Sequence, residues 1–350
     1  MTSMSDRSQR PTLWDVARAA GVSAKTVSRV LNGEAGVAAD TTARVQAAIA
    51  ELGFERNEAA RQLRTGRMAR GRSLCLLVPE LGDAGRAELA GSLASAVEAH
   101  GYRLLMTGSG SAGEREAELV QNLSEAGVAG FFVVSAAADH RYLIPHLRQG
   151  LAAAFLLHPA AQMQADSVLV DEVDAARQAT QHLLRFSHRR IAFLGPRHDH
   201  LAGYQDALSG SGIPLDPDLV RTAVQEAPEA EAAAREWLAA PVPPTAIVVA
   251  GAWLALAAMR PLLGSGMGLV VLEDVPAADL LKMPLTTVSA SLSDFGEKAA
   301  EVLVNRLEGR AGPPQRVVVR AHLVARGSGE VRPGLNRPGP EPRRSWYRRR

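Results

Sequence analysis

One cysteine, Cys75, in 350 residues rules out an internal disulfide framework and every zinc site built from several thiolates. It sits in the apolar run Leu74 to Val78, where a small buried hydrophobe is the expectation. Aromatic residues make up 4% of the chain, so its core has to be built from Ala, Leu and Val. The longest apolar run, Ala246 to Met259, has fourteen residues between Pro243-Pro244 and Arg260-Pro261, whereas a membrane-spanning helix needs ~20. Met1 to Arg7 lack the apolar segment of a secretory signal, so a soluble, cytoplasmic chain is the expectation. Also missing are a Gly-x-Ser-x-Gly elbow, a Walker phosphate loop and a His-Glu-x-x-His helix. No enzyme is expected, and no cofactor or metal. With 47% hydrophobic and 22% charged residues, the chain has the composition of a folded protein and the length of about two domains.

The net charge of +2 hides an uneven distribution. Residues 1–70 carry eleven basic against seven acidic side chains, residues 71–330 twenty-one against twenty-nine, and residues 331–350 seven against one. A basic head on an acidic body is the layout expected if only the head meets a polyanion. Chance drift of surface charge explains so small an excess equally well, so the motifs must decide.

Thr12 to Asp15 has the form of a capping box. Leu13, Val16, Ala17 and Ala20 then repeat at helical spacing until Gly21. Ser23 reads as a second N-cap, and Ala24 to Leu31 as a second helix whose Val27, Val30 and Leu31 pack back on the first. Two short helices joined by a glycine-containing turn form a helix-turn-helix, whose second helix enters the DNA major groove. Lys25 and Arg29 share one face of that helix. Both can donate to guanine, Arg29 bidentately. Ser23, Thr26, Ser28 and Asn32 are short polar groups suited to phosphates. A third helix runs from about Asp40 to Leu52.

The run from Thr12 to Gly33 (TLWDVARAAGVSAKTVSRVLNG), continued by Arg44 to Ile49 and Leu52 to Phe54, resembles the N-terminal signature of the lactose-repressor (LacI/GalR) family of bacterial transcription regulators. The resemblance implies that Ala24, Lys25 and Arg29 choose operator bases and that Ser23, Thr26 and Asn32 hold the backbone; Thr12 and Ser28 join the DNA-binding set. Asn57 to Arg64 is similar to the family's hinge helix, too short to be stable alone in water. By resemblance it folds against its dimer mate in the minor groove, with Asn57 and Ala60 on the DNA and Leu63 the wedge between base pairs.

Beyond Arg72 strands and helices alternate. Leu74–Val78, Arg103–Met106, Phe131–Val134, Ala153–Leu157, Ile191–Leu194, Ala246–Ala250 and Leu269–Leu272 read as buried strands. Ala87–His100, Glu114–Glu125 and Ala175–Phe186 read as helices. Such βα repeats imply parallel sheets covered on both faces. Their order resembles the family's effector domain, similar to periplasmic sugar-binding proteins, with two lobes crossed by three linkers. The fold class is therefore α/β: an all-α helix-turn-helix head plus a two-lobed periplasmic-binding-protein-like body. The expected boundaries are a disordered arm at 1–11, the head at 12–56, the hinge and linker at 57–71, the body at 72–327 and a disordered basic tail at 328–350. Within the body, lobe one is expected at 72–158 and 290–312, and lobe two at 159–288 and 315–327.

Ligands of such folds bind at the carboxyl ends of the strands, which here nominates Glu80, Arg197, His200 and Glu273 as effector contacts. The family's aromatic run after the first strand is absent from Glu80 to Arg86. An arginine of the family is replaced by His200, and an Asn-Asp pair by Gly251-Ala252. Glu273 is a methylene longer than the usual acid. Two further patterns are discounted. Gly108, Gly110 and Gly113 fit a dinucleotide loop, but no acid follows the next strand to hold a ribose. His198, Asp199 and His200 have no third fixed ligand nearby. Three functional readings stay open: a dimeric repressor of a palindromic operator with a small-molecule effector, the same regulator without effector control, and a binding protein with a vestigial head. The partners expected are double-stranded operator DNA, a second copy of the chain and a small effector, with no membrane.

Overall fold

The computed structural model describes residues 11–31, 37–54, 71–82, 84–110, 113–135, 137–196 and 198–334. The chain divides into two compact units, residues 1–69 and 70–350.

In the first unit, helices α1 (Leu13–Ala20), α2 (Ala24–Leu31) and α3 (Ala39–Leu52) surround a small core. Val16, Ala17, Ala20, Val27, Val45 and Ala48 are buried there, with Leu13, Val30, Leu31, Ile49 and Leu52 packed around them. The capping box forms as its sequence requires: Thr12 N donates to Asp15 Oδ2 at 2.9 Å and Asp15 N to Thr12 Oγ1 at 3.3 Å. The Thr12 hydroxyl, which donates to Asp15 Oδ2 at 2.6 Å, and the Thr12 amide together hold the Asp15 carboxyl below its ordinary pKa. Gly21 ends α1 at φ 63°, a left-handed turn that glycine adopts without strain.

The second unit holds two six-stranded sheets. The first contains β1 (Ser73–Val78), β2 (Arg103–Gly108), β3 (Gly130–Val133), β4 (Ala152–Leu156), β5 (Asp166–Val170) and β11 (Arg316–Val319), in the order β11-β5-β4-β3-β1-β2. Its pairings are all parallel. Helices α4 (Ala84–Glu98), α5 (Gly113–Glu125), α6 (Ile144–Arg148) and α11 (Leu292–Leu307) belong with it. The second contains β6 (Ile191–Leu194), β7 (Val220–Arg221), β8 (Ala246–Val249), β9 (Gly268–Val271), β10 (Thr286–Ala290) and β12 (Ala321–Val324), in the order β12-β10-β9-β8-β6-β7. Only β12 runs antiparallel, against β10. Its helices are α7 (Glu172–Arg185), α8 (His198–Ser209), α9 (Ala227–Ala239) and α10 (Ala252–Leu262).

The central strands β3, β4, β6, β8 and β9, and β1 from Leu74 on, are buried along their whole length, which is why they read as continuous apolar runs. Along β1, Leu74, Leu76 and Val78 face one core while Cys75 and Leu77 face the other. Burial pushes the Cys75 thiol up to about 12. In the second sheet Ile247 and Val249 separate from Ala246 and Val248 in the same way. Gly203 lets α8 approach α7: a Cβ there would fall 2.0 Å from the Val173 carbonyl oxygen.

Two expected boundaries are corrected. β5 pairs with β4, and β11 with β5, so both belong to the first lobe and not, as expected, to the second. The chain crosses between lobes after Val170, after Ala290 and after Val319. Residues 157–165 return as a loop to add one more strand, which a short, mixed segment such as Asp166–Val170 does not announce. The tail does not begin at 328 either. Ser328 is 1% exposed and fixed between β9 and β10: Leu269 N donates to its carbonyl at 2.8 Å, Thr286 N to its Oγ at 2.8 Å, and its hydroxyl to Leu269 O at 2.6 Å. His188 then bonds through Nε2 to Val331 O at 2.7 Å. Residues 335–350, like the arm at 1–10 and the hinge residues Asn57, Ala60 and Leu63, lie outside the described residues.

Candidate nucleic-acid interface and ligand cleft

α2 turns Val27 into the core of the head and carries Lys25, exposed, and Arg29, half-buried, one turn apart on another face. The helix spans about 12 Å, and its first turn holds no acid to oppose an approaching phosphate. Ser23 caps it: Thr26 N donates to Ser23 Oγ at 3.1 Å, and the two hydroxyls bond at 2.8 Å. One hydroxyl proton bridges the pair, so the other remains for an outside acceptor. Ser28 is half-buried, and Ala24 packs partly against the core. Thr12 is exposed but committed to its capping box. Asn32 lies outside the described residues. On α1, Trp14 stands 68% exposed.

In the second unit the cleft candidates follow the carboxyl ends of strands. Glu80 is exposed beyond β1. His200, in the first turn of α8 beyond β6, is 6% exposed. Arg197 lies outside the described residues. Glu273, beyond β9, is exposed but engaged: its Oε2 accepts from Ala252 N at 2.8 Å, at the start of α10. The ends of β8 and β9 are thereby tied together at the positions where the sequence departs from the family. Its neighbour Asp274 is structural, accepting from Val275 N at 3.0 Å and Arg326 Nη2 at 3.3 Å.

The sequence reading missed two features. Trp253, 60% exposed, follows the Glu273-capped amide in the first turn of α10. It had read as part of the apolar run. In the first lobe Glu116, 2% exposed, accepts from Ser135 Oγ at 2.9 Å and from the Tyr142 hydroxyl. His140 Nε2 lies 3.8 Å from the same carboxylate, while its Nδ1 accepts from Ala161 N at 2.7 Å. This cluster ties the segments that follow β3 and β4. Glu116 and Val120 share a face at i and i+4, and no local signal marks the glutamate as the buried member.

The comparisons with known proteins agree with this division. The family profile of bacterial regulatory proteins, lacI family, matches residues 12–57, and that of the periplasmic binding protein-like domain matches residues 180–329. The chain is 32% identical to the HTH-type transcriptional regulator CelR of Thermobifida fusca, over 93% of this chain and 100% of that one. Among solved structures, a complex of the regulator CelR with cellobiose has 29% identity and a TM-score of 0.65, covering 91% of this chain and 100% of that one. The lac repressor dimer bound to operator and an anti-inducer has 26% identity and a TM-score of 0.79, covering 92% of this chain and 99% of that one.

Proposed function

The chain belongs to the LacI family of bacterial regulatory proteins, and on that premise we propose that it is a dimeric repressor in which each α2 reads one half-site of a roughly palindromic operator. The observation that carries this reading is the pairing of Lys25 and Arg29 on one face of a helix capped by Ser23. Arg29 and Lys25 supply base contacts, Arg29 in bidentate form to guanine. Ser23, Thr26, Ser28, Asn32 and Thr12 serve the phosphates, and Ala24 lies against the bases. Asn57, Ala60 and Leu63 form the hinge, with Leu63 wedged into the minor groove. The protein acts in the cytoplasm and by binding alone; its relatives are transcriptional regulators, and no helix among the described residues is long and apolar enough to cross a membrane.

We further propose a small sugar-like effector in the cleft, supported by the cellobiose complex of the related regulator. Glu80, Arg197, His200 and Glu273 are its candidate contacts. Glu273 already bonds to Ala252 N, and Gly251 and Ala252 offer no side-chain hydrogen bonds. This favours an effector held by fewer polar groups than the family's usual set, or a regulator that has lost effector control. Selection of genomic fragments on the purified protein at ~150 mM salt, followed by footprinting, tests the DNA reading, because phosphate attraction is held constant at fixed salt. A palindromic motif with symmetric protection is the expected result. Enrichment without a motif overturns it.

A further inference from the structure

The buried cluster around Glu116 lies at the carboxyl ends of the first sheet's strands. Glu116 is in the first turn of α5 beyond β2, Ser135 follows β3, and residues 157–165 follow β4. Ligands of such sheets bind at these strand ends. Residues 157–165 are fastened there through Ala161, which donates its N–H to His140 Nδ1 at 2.7 Å and accepts from His140 N at 3.2 Å. On either side of Ala161, Leu157 and Gln162 sit at φ 65° and 61°, a left-handed backbone that residues with side chains hold only when their surroundings impose it.

The His140 ring is 2% exposed and stands edge-on to Phe155 of β4, with centroids 4.7 Å apart. Its Nδ1 accepts a backbone hydrogen, so the ring is neutral and carries its proton on Nε2. Nε2 has no hydrogen-bond partner among the described residues, and Glu116 Oε1 lies 3.8 Å away. The two partners exclude each other. A charged ring has hydrogen on both nitrogens, so Nδ1 must give up the Ala161 amide while Nε2 gains a carboxylate to close upon. The charged groups acting on the ring are Glu116 from α5 and Asp139 from its own segment, and Asp139 is paired with Arg141 at 2.5 Å. β4 contributes only the uncharged Phe155, and Tyr142 turns its hydroxyl to Glu116. Burial lowers the His140 pKa against the pull of both acids, which keeps the ring on Ala161 near neutral pH.

We propose that His140 is a positioning residue for the cleft, whose neutral ring clasps residues 157–165 to the segment after β3 and whose protonation releases them. The consequence for an effector rests on the cleft reading above; the clasp does not.

Hydrogen exchange of residues 157–165 in the full chain, corrected for the intrinsic effect of pH, tests the clasp without a ligand. A released ring titrates near the ordinary 6.5, so opening becomes at least about tenfold more frequent between about pH 7.5 and about pH 5.5. His140→Gln, whose amide oxygen accepts from Ala161 without titrating, stays protected at both values. His140→Phe keeps the packing but not the acceptor, and is poorly protected at both, while thermal unfolding shows that each variant is folded. Cellobiose probes the cleft: its binding weakens in acid in the natural chain and not in His140→Gln. If cellobiose does not bind at all, the sugar reading fails and the exchange alone decides the clasp. The proposal is overturned if exchange in 157–165 is the same at both pH values, if His140→Gln loosens in acid as the natural chain does, or if cellobiose binds equally well at both.

Discussion

A guanidinium at position 29 can reach the O6 and N7 of one guanine together, whereas the ammonium of Lys25 acts as a point charge. Arg29→Ala is therefore expected to weaken operator binding by ~1–3 kcal/mol and to relax the base preference at one position of each half-site. Competition binding on a set of singly substituted operators at fixed salt checks this. Equal loss on every sequence would make Arg29 a phosphate contact instead. The faces of α2 were legible in the sequence because eight residues of helix with Val27 turned inward leave no choice of orientation. The cleft was less legible. The sequence nominates Glu273 as an effector contact, but its carboxylate meets a backbone amide 21 residues away, and such a partner is set by the fold. His200 is likewise buried by its surroundings.

The long apolar strands and the helices between them could be read directly, since burial on both sheet faces produces continuous hydrophobic runs. β5, β7, β10, β11 and β12 could not. β11 and β12 are edge strands with alternate exposed residues, and β5 begins with the charged Asp166. That aspartate is the anchor of the first lobe's edge. Arg306, from α11, holds it bidentately at 2.7 and 2.8 Å and also donates to Gly312 O at 2.6 Å, while Gln315 N bonds to Asp166 Oδ1 at 2.9 Å. Removing one partner of a buried pair strands the other charge, so Arg306→Ala should destabilise the body by about 3 kcal/mol. Urea unfolding should show the loss in the transition of the body alone, with that of the head unmoved. For the hinge, Leu63→Ala is expected to reduce both operator affinity and DNA bending while leaving the dimer intact. An unchanged bend by gel mobility or fluorescence transfer would remove Leu63 from the wedge role.

At the scale of the whole molecule, two histidines make stability depend on pH. His188 is buried against Thr245 and Val331. Burial holds its pKa below the ordinary value, and nearby His182 lowers it further, against the opposing hydrogen bond to Val331. His140 is lowered by burial too, against the opposing pull of Glu116 and Asp139. Its Nδ1 accepts from Ala161 N, so the ring is neutral with its proton on Nε2. As pH falls through the ordinary imidazole value of 6.5, the unfolded chain takes up protons before the folded one does. The contribution to stability is complete above that value and is lost below it. Thermal melts from about pH 7.5 to about pH 5 should show a falling midpoint for the body, and His188→Gln should make that slope shallower. A slope identical in the variant would move the effect to other groups.

The three lobe crossings also fix the order in which the protein can be completed during synthesis. The head closes with Phe54, whereas the second sheet is not finished until Ser328 and Val331 are in place. At ~5–20 residues per second, the interval between the two is roughly 14 to 55 s. A ribosome that stops within that window releases a chain able to fold its DNA-contacting end but with the second lobe of the part that would govern it unsealed. Premature termination within the body but short of Val331 thus yields an unregulated head attached to an open sheet edge, a product that quality control has to remove before it reaches the operator.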